Sequence, residues 1–168
     1  AGVVTTKPFT DATAAVFGTQ NDYRDDELEI SDALIRNGLL DVIITPGHPE
    51  FGSGGVPRTA SYGTISQANL TGLRDGSLGW TFVDSAATLQ AMGDGQQPAP
   101  ERLFGLLPVA SALNSRDTSG QTNAFDPRVH TTGSLPPGVV PFVMPELSTL
   151  TMAAIRSLSQ DPDGFFLM

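Results

Sequence analysis

Residues 27–45 read ELEISDALIRNGLLDVIIT, and this stretch decides the fold class of the 168-residue chain. Apolar side chains recur at helical spacing between Glu27 and Asn37, acidic residues begin the stretch, and Gly38 follows where helices commonly end. The short apolar and β-branched run that comes next is typical of a strand buried on both faces. The pattern therefore predicts a helix over Glu27–Asn37 and a buried strand over Asp41–Thr45.

The same alternation extends to both sides of this unit. Upstream, Gly2–Thr6 (GVVTT) predicts a strand that stops at Lys7-Pro8, because proline cannot donate a hydrogen bond to a sheet. Downstream, strands are predicted at Trp80–Val83 and Leu103–Leu107, with a capped helix over Asp84–Met92 between them. Strands that alternate with helices indicate an α/β fold with a parallel sheet.

The remaining chain contains two Gly- and Pro-rich stretches and one more helix and strand. Pro46–Gly63 and Ser111–Val143 are predicted as loops, the second a long excursion of the kind that often carries function. Pro145 is expected at the first position of the last helix, and Phe165–Met168 (FFLM) is expected to form a closing strand. One face of that helix is predicted to carry Leu147, Leu150, Ala154 and Leu158. We find no repeat and no second domain.

Composition excludes several classes of function. The formal net charge of -9 argues against binding to nucleic acid, which needs clustered Lys and Arg. The chain has no cysteine, and it has neither a long apolar run nor a signal-peptide pattern, so we expect no thiolate-bound metal and no membrane segment. Because the sequence begins with Ala1 rather than Met, and with a strand, we expect it to be part of a longer protein.

Several motifs together resemble the alkaline phosphatase family over nearly the whole chain. They are AGVVTT at the start, DAT at residues 11–13, DVIIT followed by a loop with HPEF at 48–51, the segment 79–92, and the closing MAAIRSLSQDPDGFFLM. The resemblance implies a three-layer α/β/α sandwich, of which residues 1–168 would be the central part. It also implies hydrolysis of phosphate monoesters through a phosphoserine, with zinc and magnesium as cofactors, in the periplasm or outside the cell.

The resemblance assigns roles to three residues of this chain. Thr13 matches the family threonine whose hydroxyl binds magnesium, and Asp11 matches a residue that acts behind that site without touching the metal. Arg24, eleven positions after Thr13, matches the arginine that holds the substrate phosphate. A hard cation prefers such oxygen ligands, and a guanidinium can donate to two phosphate oxygens at once.

The resemblance also implies that much of the active site lies outside this sequence. The family's serine nucleophile and first metal-binding aspartate precede the first strand, and its magnesium-binding glutamate and remaining zinc ligands follow Met168. We therefore expect this chain alone to be inactive and to bind no metal tightly, and its partners to be a phosphate monoester and either a second copy or the missing segments. The alternatives are an inactive fragment or binding module, or a related phosphodiesterase, sulfatase or phosphomutase.

Several other residues are of types that are common in active sites, but their positions in the sequence favour structural roles. Asp84-Ser85-Ala86-Ala87 looks like the family nucleophile sequence, but it follows the wrong strand, so Ser85 is predicted to cap a helix. His48 and His130 lack a second ligand at metal-binding spacing, and each is predicted to be solvated or to anchor a loop. Gly52–Gly55 lacks the lysine of a phosphate-binding loop and is predicted to be flexible.

Overall fold

The computed structural model describes residues 1–52, 55–110 and 144–168. The strands in these residues are β1 (Gly2–Val4), β2 (Val42–Thr45), β3 (Thr81–Val83) and β4 (Leu103–Leu106). The helices are α1 (Ala12–Ala15), α2 (Glu27–Arg36), α3 (Gln67–Arg74), α4 (Ala86–Gly93) and α5 (Leu147–Leu158). The whole of the predicted 111–143 excursion lies outside the described residues.

The four strands form one parallel sheet in the order β1-β2-β4-β3. Ile43 in the second strand pairs with Val3 on one side and with Phe104 on the other, so the most apolar segments lie at the centre. Phe165–Met168 is shorter than predicted, since Leu167 makes a single parallel bridge to Gly2. The hydrogen bond from Val4 N to Met168 O, 2.9 Å long, keeps this segment alongside β1.

Helices cover both faces of the sheet. Side chains of α2 and α3 pack with Val3 and Ile43 in one buried cluster, whereas those of α4 and α5 pack with Val42 and Ile44 in a second. The alternation follows from strand geometry, in which successive side chains point to opposite faces. The predicted α/β class and the three-layer arrangement are therefore confirmed.

The last helix begins later than predicted. Glu146 precedes its first turn as the N-cap residue, so Pro145 lies outside the helix rather than at its first position. Leu147 is 41% exposed and does not share the buried face of Leu150, Ala154 and Leu158. No helix in the described ranges is long and apolar enough to cross a membrane.

Candidate functional site

All four strands point the same way, so their carboxyl ends meet at one edge of the sheet. Ligands in open α/β proteins bind at this edge, because the connecting loops and the amino ends of the following helices converge there. Three segments with polar side chains follow strands at this edge. They are Lys7–Thr13 after β1, Pro46–Phe51 after β2, and Asp84-Ser85 after β3.

The segment after β1 contains two of the residues to which the resemblance assigns roles. Asp11 is the N-cap of α1, and its Oδ1 accepts a hydrogen bond of 3.5 Å from the backbone N–H of Thr13. The helix packs into the core through Ala14 and Ala15, which turns the Thr13 side chain outward, where it is exposed. The Thr13 hydroxyl is therefore accessible to a ligand.

Arg24 lies in the loop between α1 and α2, and its side chain is 68% exposed. In the described part of the chain its nearest charged neighbour is Asp25, with 3.8 Å between Arg24 Nε and Asp25 Oδ1, which is too long for a hydrogen bond. A surface groove of about 380 Å³ is lined by Arg24 together with Ala12 and Ala15 of α1. The structure thus brings Arg24 and α1 to one groove, although neither Asp11 nor Thr13 lines it.

The Phe165–Met168 segment approaches the same edge. It runs parallel to β1, and its final residue accepts a hydrogen bond from Val4 at the carboxyl end of that strand. This direction agrees with the parallel sheet predicted from the alternation of strands and helices. The roles of Asp11, Thr13 and Arg24 themselves remain predictions.

The segment after β2 has an organisation that the sequence did not reveal. His48 is 0% exposed, so the expectation that it is solvated is wrong, whereas its predicted role as a loop anchor is confirmed. Its Nδ1 accepts a hydrogen bond of 3.2 Å from Glu50 N, and its ring meets the ring of Phe51 edge-on at 4.7 Å between centroids. Because Nδ1 is an acceptor, the proton of the neutral ring lies on Nε2. Nε2 is 3.9 Å from Asp84 Oδ2.

Arg74, the last residue of α3, connects the segments that follow β2 and β3. Its guanidinium donates two hydrogen bonds to the Glu50 carboxylate, at 2.8 and 2.7 Å, and lies 3.6 Å from Asp84 Oδ2. These hydrogen bonds hold the pKa of Glu50 below its usual range, and His48 and then Arg74 lower the pKa of Asp84. We call His48, Glu50, Arg74 and Asp84 the polar network. Arg74 and Glu50 are hydrogen-bonded to each other, whereas the buried His48 Nε2 has no hydrogen-bond partner in the described part of the chain.

Ser85 caps a helix, as predicted. Its Oγ accepts a hydrogen bond of 3.2 Å from Thr88 N at the start of α4, and its backbone is extended, as is usual for an N-cap residue. The likeness of its surroundings to the family nucleophile sequence is therefore explained by the needs of a helix start.

Two other candidates fall partly or wholly outside the described ranges. The described ranges do not include His130 or the glycine-loop residues Ser53 and Gly54. At the edges of that loop, Gly55 N donates to Gly52 O at 3.1 Å and Gly52 N donates to Val56 O at 2.8 Å. These hydrogen bonds join the described residues on the two sides of Ser53 and Gly54. In the described ranges, no group of three or more His, Cys, Asp or Glu could hold a metal ion.

Comparison with known proteins supplies the family. The model of the family described as alkaline phosphatase matches residues 1–168, the whole chain. The chain belongs to the alkaline phosphatase family. A search of curated proteins found no match. Membership in the alkaline phosphatase family connects the chain with phosphatase-type hydrolysis, and that family is generally metal-dependent. The assignment of residues 1–168 to the central part of one catalytic domain stays a prediction.

Proposed function

We propose that this chain takes part in the hydrolysis of phosphate monoesters and supplies the phosphate-holding side of the site. The match of the alkaline phosphatase family to all 168 residues is the observation on which this proposal rests. In the proposed reaction a serine outside this sequence attacks the phosphorus and displaces the ester alcohol, which leaves with a proton. Water then hydrolyses the resulting phosphoserine, which releases inorganic phosphate and restores the serine. Ser85 is not proposed as that nucleophile, because it follows β3 rather than preceding β1, and its hydroxyl accepts a capping hydrogen bond at the start of α4.

Arg24 is proposed to hold the phosphate. An exposed guanidinium that makes no hydrogen bond to a neighbouring carboxylate can donate two parallel hydrogen bonds to a phosphate, and it would stabilise charge on the transferring group. Arg74 differs from Arg24, because two of its N–H groups already donate hydrogen bonds to Glu50. The geometry thus supports Arg24 over Arg74 as the phosphate ligand.

Magnesium and zinc, the two proposed cofactors, differ in how well the residues of this chain suit them as ligands. The Thr13 hydroxyl and the Asp11 carboxylate are oxygen groups of the kind that magnesium prefers, with Thr13 binding the ion and Asp11 acting from behind it. Two such side chains are too few to hold magnesium alone. Zinc needs at least three protein ligands, and the described residues provide no such group. Zinc therefore does not fit this part of the chain, and its ligands are proposed to come from other segments.

We further propose a periplasmic or extracellular location and a partner for the outer edge of the sheet. Phe165 and Phe166 in the segment beside β1 are 45% and 57% exposed. Apolar side chains at an open sheet edge favour pairing with another strand. That strand would come either from a second copy or from family segments outside this sequence.

Phosphate binding tests the proposal on the chain itself. We expect NMR titration of the 168-residue chain with inorganic phosphate to shift signals of Arg24 and α1, Arg24→Met to abolish these shifts, and Arg74→Met to leave them in place. Binding that survives Arg24→Met would overturn the assignment. With a chromogenic phosphate ester, zinc and magnesium, we expect no turnover above the buffer rate. Turnover that disappears in Ser85→Ala would overturn the placement of the nucleophile.

A further inference from the structure

The segment that leads from β1 to Asp11 is held by a backbone hydrogen bond and by packing against the sheet. Asp11 N donates a hydrogen bond of 2.9 Å to Pro8 O, which closes the turn before α1. Phe9 is buried in this turn and meets Phe104 of β4 edge-on, with 5.4 Å between ring centroids. The position of Asp11 therefore depends on where Lys7 and Pro8 are held.

Thr45, the last residue of β2, contacts Lys7 directly. Its side chain is completely buried, and its hydroxyl oxygen lies 3.1 Å from Lys7 O and 2.8 Å from Pro46 O. One hydroxyl proton serves these two carbonyl groups, so it can join the turn after β2 to the turn after β1. A buried hydroxyl costs stability unless it is hydrogen-bonded, which makes these carbonyls its necessary partners.

Gly47 allows the turn after β2 to approach Pro8 closely in the turn after β1. It has φ of +111°, and a Cβ at this position would lie 3.3 Å from Pro8 Cβ, so only glycine permits this approach without strain. The turn that carries Gly47 is itself held, because Gly47 N and His48 N both donate to Val109 O, at 2.8 and 2.9 Å. Pro8 therefore lies against the turn that carries Gly47, and this turn is held by hydrogen bonds to Val109, which follows β4.

We propose that Thr45 is a positioning residue, whose hydroxyl sets the place of the Asp11–Thr13 segment by holding Lys7 O. The importance of that segment for the reaction rests on the proposed function, but the contact itself does not. Thr45 lies in the core of the sheet, yet it would help to fix the geometry of the proposed magnesium and phosphate ligands.

Amide hydrogen exchange of the 168-residue chain, followed by NMR, tests this role. The probes are Ala14 N and Ala15 N, which both donate to Asp11 O, at 3.0 and 2.9 Å. We expect Thr45→Val to speed exchange at these probes by about tenfold, the effect of losing one hydrogen bond of ordinary strength. Thr45→Ser keeps the hydroxyl and should restore the slower exchange.

Ser157→Ala is the matched control, since it removes another buried hydroxyl, which donates to Pro100 O on the side of α5. We expect it to leave the α1 probes unchanged. The proposal is overturned if Thr45→Val leaves these probes unchanged, if Ser157→Ala affects them equally, or if Thr45→Ser does not restore them. Exchange is measured without phosphate or metal, so failure of the Arg24 titration leaves this result intact, and the reverse also holds.

Discussion

Two regions at the carboxyl edge of the sheet use their polar side chains in opposite ways. Thr13 and Arg24 are exposed, and neither side chain makes a hydrogen bond within the described part of the chain. In the polar network, by contrast, His48 is buried and Arg74 is hydrogen-bonded to Glu50. The first region can offer both side chains to a ligand, whereas in the second His48 Nδ1, Glu50 and Arg74 already make hydrogen bonds that hold loops together. Residue type alone would have favoured the second region, with its histidine, arginine and two carboxylates.

The largest effect is expected from His48→Ala. Removal of a fully buried ring that anchors the turn after β2 leaves a cavity and frees Glu50 N, and we expect it to lower the free energy of unfolding by about 3 kcal/mol. Thr13→Ala, in the exposed region, should change it by less than about 0.5 kcal/mol. Urea denaturation measures both. Equal losses would show that the two regions do not differ as described.

Ser85→Ala should cost about 1 kcal/mol, because α4 loses its N-cap. Ser66→Ala is the matched control, since Ser66 caps α3 through a hydrogen bond of 3.1 Å from Asn69 N and has no surrounding nucleophile-like sequence. The two variants should therefore lose similar stability in thermal or urea unfolding. A much larger loss for Ser85→Ala would indicate a role beyond capping.

Arg74→Met and Arg24→Met compare one arginine from each region. We expect the first to lower the free energy of unfolding by about 1 kcal/mol, a value limited by the partial exposure of the Arg74–Glu50 pair. The second should have no measurable effect on stability, since within residues 1–52, 55–110 and 144–168 the only carboxylate close to Arg24 is that of Asp25, 3.8 Å away. An Arg24→Met variant as unstable as Arg74→Met would mean that Arg24 is a structural residue.

The polar network should also make stability sensitive to acid. Because Arg74 lowers the pKa of Glu50 in the folded chain, the carboxylate contributes stability at pH values above its unfolded pKa of about 4.3. That contribution is lost as pH falls through the lower, folded value. We expect the loss of stability between pH 6 and pH 3 to be smaller in Arg74→Met than in the parent chain, as urea midpoints at each pH would show. An unchanged pH dependence would contradict the coupling between Arg74 and Glu50.

Local signals predicted most of the fold correctly. The helix over Glu27–Asn37 and the strand that follows it are specified by nearby residues, including Gly38, which adopts φ of +73° just beyond the helix. Phe165–Met168 was predicted as a full strand from its apolar composition, but strand formation depends on a partner, and β1 supplies one bridge. Composition cannot report how much of a partner strand is available.

The site was less predictable because its contacts join distant parts of the chain. His48 and Asp84 come from turns after different strands, and Arg74 reaches both turns from the end of α3. No spacing rule connects these positions, so the histidine could be described beforehand only as solvated or anchoring. A usable signal was the position of HPEF, separated by two residues from the end of a buried strand, which places its histidine near the carboxyl edge of the sheet.

The single bridge between Gly2 and Leu167 has a consequence for the order in which the chain folds. It joins residues from opposite ends of the sequence, so closing it carries the largest entropic cost of any pairing in the sheet. Contacts of such long range form late and open readily. Among the strands that the structure describes, we therefore expect the Phe165–Met168 segment to be the last to gain protection during refolding and the first to open to a protease.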